Sequence, residues 1–373
     1  MTAMPLQYRA AVLHAAQTPL SIETVTAAAL KPADVLVRIR ATGLCHTDLE
    51  VIDGSLRYPM PIVLGHEAAG IVEQVGPAAR GVKPGNHVVL SWNPHCGHCF
   101  YCDRDAPILC EEYLGKGPQA VSFDGDCRGK LADGRDLRQL MFVGSFGEYC
   151  IVPDQQAIVV PREIPFDRAC LIGCGVMTGV GAALNLGAIS HDDSVMVVGC
   201  GAVGLAAVQG ARLAGAGEII AVDLNPAKLE LAAKMGATHG IDVAKDDAVA
   251  AAKKETGGRG VDVVIESAGS PAAFRLTTEA VRPGGQVIWL GKIDVDQDAS
   301  FRWGSLMQEK RIRRSSYGNA RPARDFPMLA RAYLDGKLML DELITQRIDL
   351  DDINDGFSAL RDGKAIRSII VFD

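Results

Sequence analysis

Three short stretches hold the residues best suited to chemistry: Cys45-His46-Thr47-Asp48, Gly65-His66-Glu67 and Gly173-Cys174-Gly175. Together they offer two thiolates, one imidazole and a spare carboxylate. Two sulfurs and one nitrogen leave the fourth position of a tetrahedral zinc ion open, which is how a catalytic rather than a structural zinc is held. Cys45 or His66 alone would read as an ordinary core residue. Their joint occurrence with Asp48, Glu67 and Cys174, beside a nucleotide-binding pattern, is what points to a metal. Asp48 is expected to fix the tautomer of His66 from behind. The Thr47 hydroxyl, two residues past the first thiolate, could hand on the proton of an alcohol held at the open position.

A second cysteine group has a different character. Cys96-Gly-His-Cys99-Phe-Tyr-Cys102, with Cys110 eight residues on, places four thiols within fifteen residues. Such a set suits a closed structural zinc site. An iron–sulfur cluster is the alternative, although the last gap departs from ferredoxin spacing. His95 and His98 are read as solvated, and Cys127, Cys150, Cys170 and Cys200 as buried or incidental thiols.

Val198-Gly199-Cys-Gly201-Ala-Val-Gly204 follows an apolar strand and opens a helical run. Glycines there permit a tight turn and close approach of a pyrophosphate to a helix N-terminus. The next strand ends in Asp223, 19 residues past Gly204, where a carboxylate should take the ribose hydroxyls. Asp223 would repel a 2′-phosphate, which favours NAD over NADP. Lys228, nearby, weakens that preference without reversing it.

These groups need elements to position them. At 373 residues the chain is expected to form two domains. Runs rich in β-branched residues at Val35–Arg40, Gly70–Val75 and His87–Leu90, broken by turn residues, predict a barrel-like β domain. From Val176 the pattern alternates strand and helix, with strands at Ser194–Val198, Glu218–Val222, Val261–Ile265 and Gln286–Leu290. That alternation predicts a doubly wound parallel sheet. The expected division is 1–175, 176–318 and 319–373, the last returning to the first domain. Gly115–Gly144, polar and Gly/Asp-rich, is expected to be a loop near a pocket mouth or subunit contact. The charge-free stretch Ala169–His191 is read as a buried helix–loop passage rather than a membrane span.

Net charge is −7, and no basic, aromatic-laced patch is present, so nucleic-acid and anionic-membrane roles find no support. That also disfavours a regulatory binder built on a zinc ribbon. Met1–Arg9 has no apolar run of the signal-peptide kind, so the ten cysteines are read as those of a reduced, cytoplasmic enzyme.

From about Ala10 to the C-terminus the chain resembles the zinc-dependent medium-chain alcohol dehydrogenases, through GLCHTD, GHEAAG, the CxxCxxC lobe, GCGVMTG and VGCGAVG. It is most similar to the branch with thiol-dependent formaldehyde, aryl alcohol and terpene alcohol dehydrogenases. The resemblance implies a GroES-like β-barrel catalytic domain and a Rossmann NAD domain. It implies two Zn2+ per subunit: Cys45, His66 and Cys174 on the catalytic ion with Glu67 behind, and Cys96, Cys99, Cys102 and Cys110 on the structural one. It places Thr47 first in a proton relay, His46 and Arg367 at the pyrophosphate, Thr178 and Val203 at the nicotinamide, and Trp92 and Met141 in the substrate pocket. Relatives end the relay in a histidine where this chain has Glu50, so the proton leaves through Glu50 or directly to water. Lys292 stands where relatives carry an aliphatic residue, and is read as solvent-facing.

The expected activity is oxidation of a primary alcohol, aromatic or allylic, to the aldehyde with NAD, or the reverse, in a homodimer more than a tetramer. The alternative is a glutathione- or mycothiol-dependent formaldehyde dehydrogenase, for which Arg57, Arg128 and Arg135 are candidates to hold the thiol.

Overall fold

The computed structural model describes residues 5–373 and divides into two compact units. The first runs to Cys174 and takes back Arg321–Gly336 and Leu343–Asp373; the second comprises Gly175–Ala320 and Lys337–Glu342.

In the first unit, Gln7–Leu13, Ser21–Ala27, Gly129–Lys130, Asp136–Gln139 and Ile62–Val63 close a small barrel. Gly115–Gly144 is therefore not simply a loop, since two of its segments supply barrel strands. Its anchor is Arg128, which is buried and binds the Asp34 carboxylate at 2.6 and 3.2 Å and that of Asp124 at 3.1 and 3.0 Å. A larger sheet runs Ala157–Val159, His87–Leu90, Glu67–Val75, Asp34–Gly43, Ser368–Val371, Gln346–Ile348, with Tyr149–Pro153 also pairing Asp34–Gly43. Its core is built from Val35, Val37, Ile39, Val72, Val88 and Leu90, from the runs that mark these strands in the sequence, together with Val152 of Tyr149–Pro153.

The second unit is a six-stranded parallel sheet: His239–Asp242, Glu218–Asp223, Ser194–Val198, Val261–Glu266, Val281–Trp289, Arg311–Arg314. Numbered along the chain, the order is 3-2-1-4-5-6, that of a doubly wound nucleotide fold. The central strand Ser194–Val198 is buried throughout, as a parallel strand covered on both faces must be.

The boundaries differ from expectation by one or two residues at Gly175 and Asn319–Ala320, which fall in the second unit, and by one whole segment. Lys337–Glu342 packs with the nucleotide unit rather than the barrel unit, because the buried Gln209 side chain both donates to the Met339 carbonyl (2.9 Å) and accepts from its N–H (2.7 Å). Ala169–His191 is helix followed by loop: helix runs over Phe166–Leu186, with π-helical stretches at Ile172–Val176 and Ala182–Leu186, and residues 187–191 are non-helical. This run is long and apolar enough to cross a membrane, yet 83% of its most apolar window is buried inside the protein.

Candidate metal and cofactor sites

Sheet register brings the first site together. Gly43 pairs with Glu67 and with Ile369, so one end of three adjacent strands delivers Leu44–Cys45, His66–Glu67 and Arg367 to one place. Gly43 is needed there, since a Cβ on it would lie 2.5 Å from Glu67 Oε2. Cys45 then caps the helix His46–Asp53. Asp48, fully buried, accepts from the Cys45 N–H (3.2 Å) and the Gly65 N–H (2.9 Å), and meets His66 Nδ1 at 3.2 Å. An imidazole that donates from Nδ1 keeps the Nε2 lone pair for a metal.

One ligand atom from each of Cys45, His66, Glu67 and Cys174 lies within 4.8 Å of the others. Two donors bound to one zinc at about 2.0–2.3 Å stand at most about 4.6 Å apart, so the four atoms are gathered to about the span that a single ion bridges. Glu67 is the odd member. Its Oε1 accepts from Arg367 at 3.2 Å, while Oε2 is buried without a partner. Burial pushes its carboxyl up to about 7 against the pull of Arg367. At Cys45, a hydrogen bond from Cys174 stabilises the thiolate, helped by His66 and Arg367; the same bond pushes the Cys174 thiol up. Burial alone would lower His66, but Asp48 and Cys45 outweigh it and raise its pKa. Arg367, expected at a pyrophosphate, is buried against Glu67 in this structure.

Thr47 and Glu50 are half-buried and three residues apart on one helix, hence on one face; His46 is exposed. Trp92 follows the strand His87–Leu90, which passes beside Cys174: a Cβ on Gly173 would lie 2.7 Å from the Leu90 carbonyl. Met141 is half-buried in a left-handed turn (φ 53°).

The second cysteine group converges as its spacing requires, with the sulfurs of Cys96, Cys99, Cys102 and Cys110 mutually within 4.8 Å. The Cys96 N–H donates to Cys110 Sγ at 3.2 Å. Four sulfur donors leave no position for substrate, which fits a structural zinc. Exposed His98, with Glu112, also lies within ligand reach of Cys96.

In the second unit the three glycines do different work. Gly199 has φ 88° and its amide bonds to the Val222 carbonyl. A Cβ on Gly204 would lie 1.7 Å from the Gly199 carbonyl oxygen, whereas one on Gly201 would meet nothing within 4 Å. Open space beside a helix N-terminus is where a pyrophosphate fits. Asp223 accepts from the Cys200 N–H (2.6 Å) and the Asn225 N–H (2.9 Å), which ties this carboxylate to the glycine turn. Thr178 and Val203 lie together, since a Cβ on Gly179 would be 2.2 Å from the Val203 carbonyl oxygen. Lys228 is half-buried and Lys292 exposed.

Sequence reasoning misses Glu266. It ends its strand fully buried, accepts from the Gly269 N–H at 2.6 Å and leaves Oε2 unpartnered. Its neighbour Ser267 donates to the Gly199 carbonyl at 2.9 Å and so braces the glycine turn. Gln156, taken up below, is missed too. Arg128, by contrast, is removed as a thiol ligand, because its charge is committed to Asp34 and Asp124. Arg135 pairs with Asp133 at 2.7 Å, and Arg57 is exposed.

Residues 31–162 match the alcohol dehydrogenase GroES-like domain and 202–334 the zinc-binding dehydrogenase domain. The chain is 36% identical to S-(hydroxymethyl)glutathione dehydrogenase of Saccharomyces cerevisiae, over 99% of its own length and 97% of that protein's. Two solved structures superpose throughout. An alcohol dehydrogenase zinc-binding domain protein from Burkholderia ambifaria has TM-score 0.95 and 36% identity, with 99% and 100% of the two chains covered. Benzyl alcohol dehydrogenase from Acinetobacter calcoaceticus has TM-score 0.93 and 32% identity over the same shares. With a GroES-like barrel bearing an open donor set and a Rossmann unit bearing its glycine turn, the chain belongs to the zinc-dependent medium-chain alcohol dehydrogenases.

Proposed function

We propose that this enzyme oxidises a primary alcohol, aromatic or allylic, to the aldehyde with NAD, or runs the reverse reaction. The observation that carries the reading is the donor set of two sulfurs and one imidazole, with Glu67 drawn off by Arg367 so that a place remains for substrate oxygen. Bound zinc would supply a Lewis acid and NAD a hydride acceptor at these sites. The chain's own residues do the rest. Cys45, His66 and Cys174 hold the ion, and Asp48 orients His66. Thr47 takes the alcohol proton and Glu50, or water, receives it. Gly199, Gly201 and Gly204 admit the pyrophosphate, and Asp223 selects NAD through the ribose. A second zinc, on Cys96, Cys99, Cys102 and Cys110, would be structural.

The aromatic preference draws support from the similarity to a benzyl alcohol dehydrogenase and from Trp92, two residues past the Leu90 carbonyl that packs on Gly173. The similarity to S-(hydroxymethyl)glutathione dehydrogenase favours a second reading, oxidation of a thiol adduct of formaldehyde. Of the three arginines nominated for that role, Arg57 is exposed and without a carboxylate partner among the described residues. NADH formation decides between them, measured with benzyl alcohol, an allylic terpene alcohol, hexanol, and formaldehyde with and without glutathione or mycothiol. Turnover of free alcohols without thiol supports the first reading; activity restricted to formaldehyde plus thiol replaces it with the second.

We further infer a homodimer. The edge strand Arg311–Arg314 lies open with Trp303, Met307 and Ile312 exposed nearby, the kind of edge a second copy would cover. The free thiols favour a reducing compartment such as the cytoplasm.

A further inference from the structure

Two consecutive glutamines hold the segment Ser91–His95, which carries Trp92 into the four-cysteine lobe. Gln155 Oε1 accepts from the His95 N–H at 3.2 Å. Gln156 Nε2 donates to the Ser91 carbonyl at 2.7 Å, and the Ser91 N–H returns to the Gln156 carbonyl at 2.9 Å. The same Nε2 also donates to the Met141 carbonyl at 3.0 Å. That carbonyl lies in a turn where Met141 and Phe142 both take left-handed φ, 53° and 62°. On the other side of Trp92, Asn93 Nδ2 donates to the Pro107 carbonyl at 3.3 Å. One amide therefore fixes the backbone next to Trp92 relative to the backbone at Met141. The strand feeding Ser91 packs on Gly173, the residue before Cys174, where a Cβ would lie 2.7 Å from the Leu90 carbonyl.

Gln156 is fully buried, and its Oε1 has no partner. A methionine would fill the same volume without the orphan Oε1, but it would leave the Ser91 and Met141 carbonyls without this donor, so the amide acts here on those two carbonyls. What the amide adds is a set distance between two carbonyls.

We propose that Gln156 is a positioning residue for substrate selection: by tying the Ser91 and Met141 carbonyls together it sets the spacing of Trp92 and Met141, and so the bulk of alcohol accepted. The kinetic consequence rests on the proposed alcohol oxidation; the structural one does not.

The test compares wild type with Gln156→Met, which keeps length but loses both donors, and with Gln156→Asn, which keeps the amide one methylene shorter. With the zinc-loaded enzyme and NAD+, the ratio of kcat/KM for benzyl alcohol to that for ethanol should fall at least fivefold in Gln156→Met, with KM for benzyl alcohol carrying the change. Gln156→Asn should fall between. The second arm uses a Trp289→Phe, Trp303→Phe background, which leaves Trp92 alone of the three tryptophans. There, Gln156→Met should at least double the quenching of Trp92 emission by acrylamide.

Equal loss for both alcohols, an unchanged ratio, or unchanged quenching overturns the proposal. If Gln156→Met does not fold, Gln156→Asn decides by the same two readouts. A wild type that oxidises neither alcohol defeats the functional reading, while the quenching arm still decides the positioning role.

Discussion

Alanine at Gly201 and alanine at Gly204, three residues apart in one turn, should fail in opposite ways. Gly201 caps its helix with φ −74° and ψ −176°, a conformation open to any residue, and its Cβ would meet nothing within 4 Å. Losing glycine at an N-cap costs about 0.5 kcal/mol. The stiffer unfolded chain returns about 0.4–1 kcal/mol. Gly201→Ala should therefore leave stability nearly unchanged. At Gly204 the new Cβ would sit 1.7 Å from the Gly199 carbonyl oxygen and 2.8 Å from Ser267 Oγ, so backbone must move. Overpacking of this kind costs about 1–3 kcal/mol, or roughly 2–12 °C in Tm at about 2–4 °C per kcal/mol for a domain this size. Cofactor binding inverts the ranking of the harm. NAD+ at about a hundredfold over Kd stabilises by about 2.7 kcal/mol, and a methyl in the space the phosphates need should remove about 1–3 kcal/mol of that affinity. Thermal unfolding with and without NAD+, checked by NADH fluorescence titration, reads both effects. A wild-type NAD+ shift in Gly201→Ala, or a loss of Tm as large as in Gly204→Ala, would refute the assignment of that space to the pyrophosphate.

Asp48→Asn should weaken zinc binding about 10–100-fold by loosening the His66 ring; chelator competition measures it, and unchanged affinity would remove Asp48 from that role. Asp223→Ser should raise the use of NADP+ relative to NAD+ at least about tenfold, since the carboxylate that repels a 2′-phosphate is gone; an unmoved ratio of kcat/KM values would count against Asp223 as the selector. Arg128→Met strands the Asp34 carboxylate, both partners being about 5% exposed or less. Urea unfolding should show a loss of about 3–5 kcal/mol, while wild-type stability would make Arg128 available for another task.

What the sequence discloses is whatever rests on local pattern. Ser194–Val198 and Val35–Arg40 announce themselves by β-branched runs, and the cysteine spacing alone brings four sulfurs to one place. Long-range pairing leaves weaker traces. Gly129–Lys130 and Asp136–Gln139 are short and polar, with no hydrophobic alternation, yet they close the barrel because the buried Arg128–Asp34 pair holds that excursion down. Arg311–Arg314, three arginines and an isoleucine, forms an edge strand by pairing with Val281–Trp289 and not by propensity. Met339 joins the nucleotide unit through the side chain of one distant glutamine. At the site, donor types are legible but their supports are not: Gly43 reads as one glycine among 40 until Glu67 is seen against it. Gln156, which works on backbone carbonyls, has no periodicity to betray it.

The four-cysteine lobe has a core of its own, but a very small one: Cys110, Tyr113 and Phe142 buried, with Phe123 and the other three cysteines packed around them. So few apolar groups do not order a segment by themselves, and whatever ion the sulfurs hold becomes the lobe's main source of cohesion. The strands of the larger sheet and of the nucleotide sheet lie elsewhere and can assemble without it. A chain translated in zinc-poor cells would then emerge with its sheets intact and its lobe slack, offering proteases one soft appendage. Abundance of such an enzyme would follow the metal supply at the moment of synthesis, before any substrate is met.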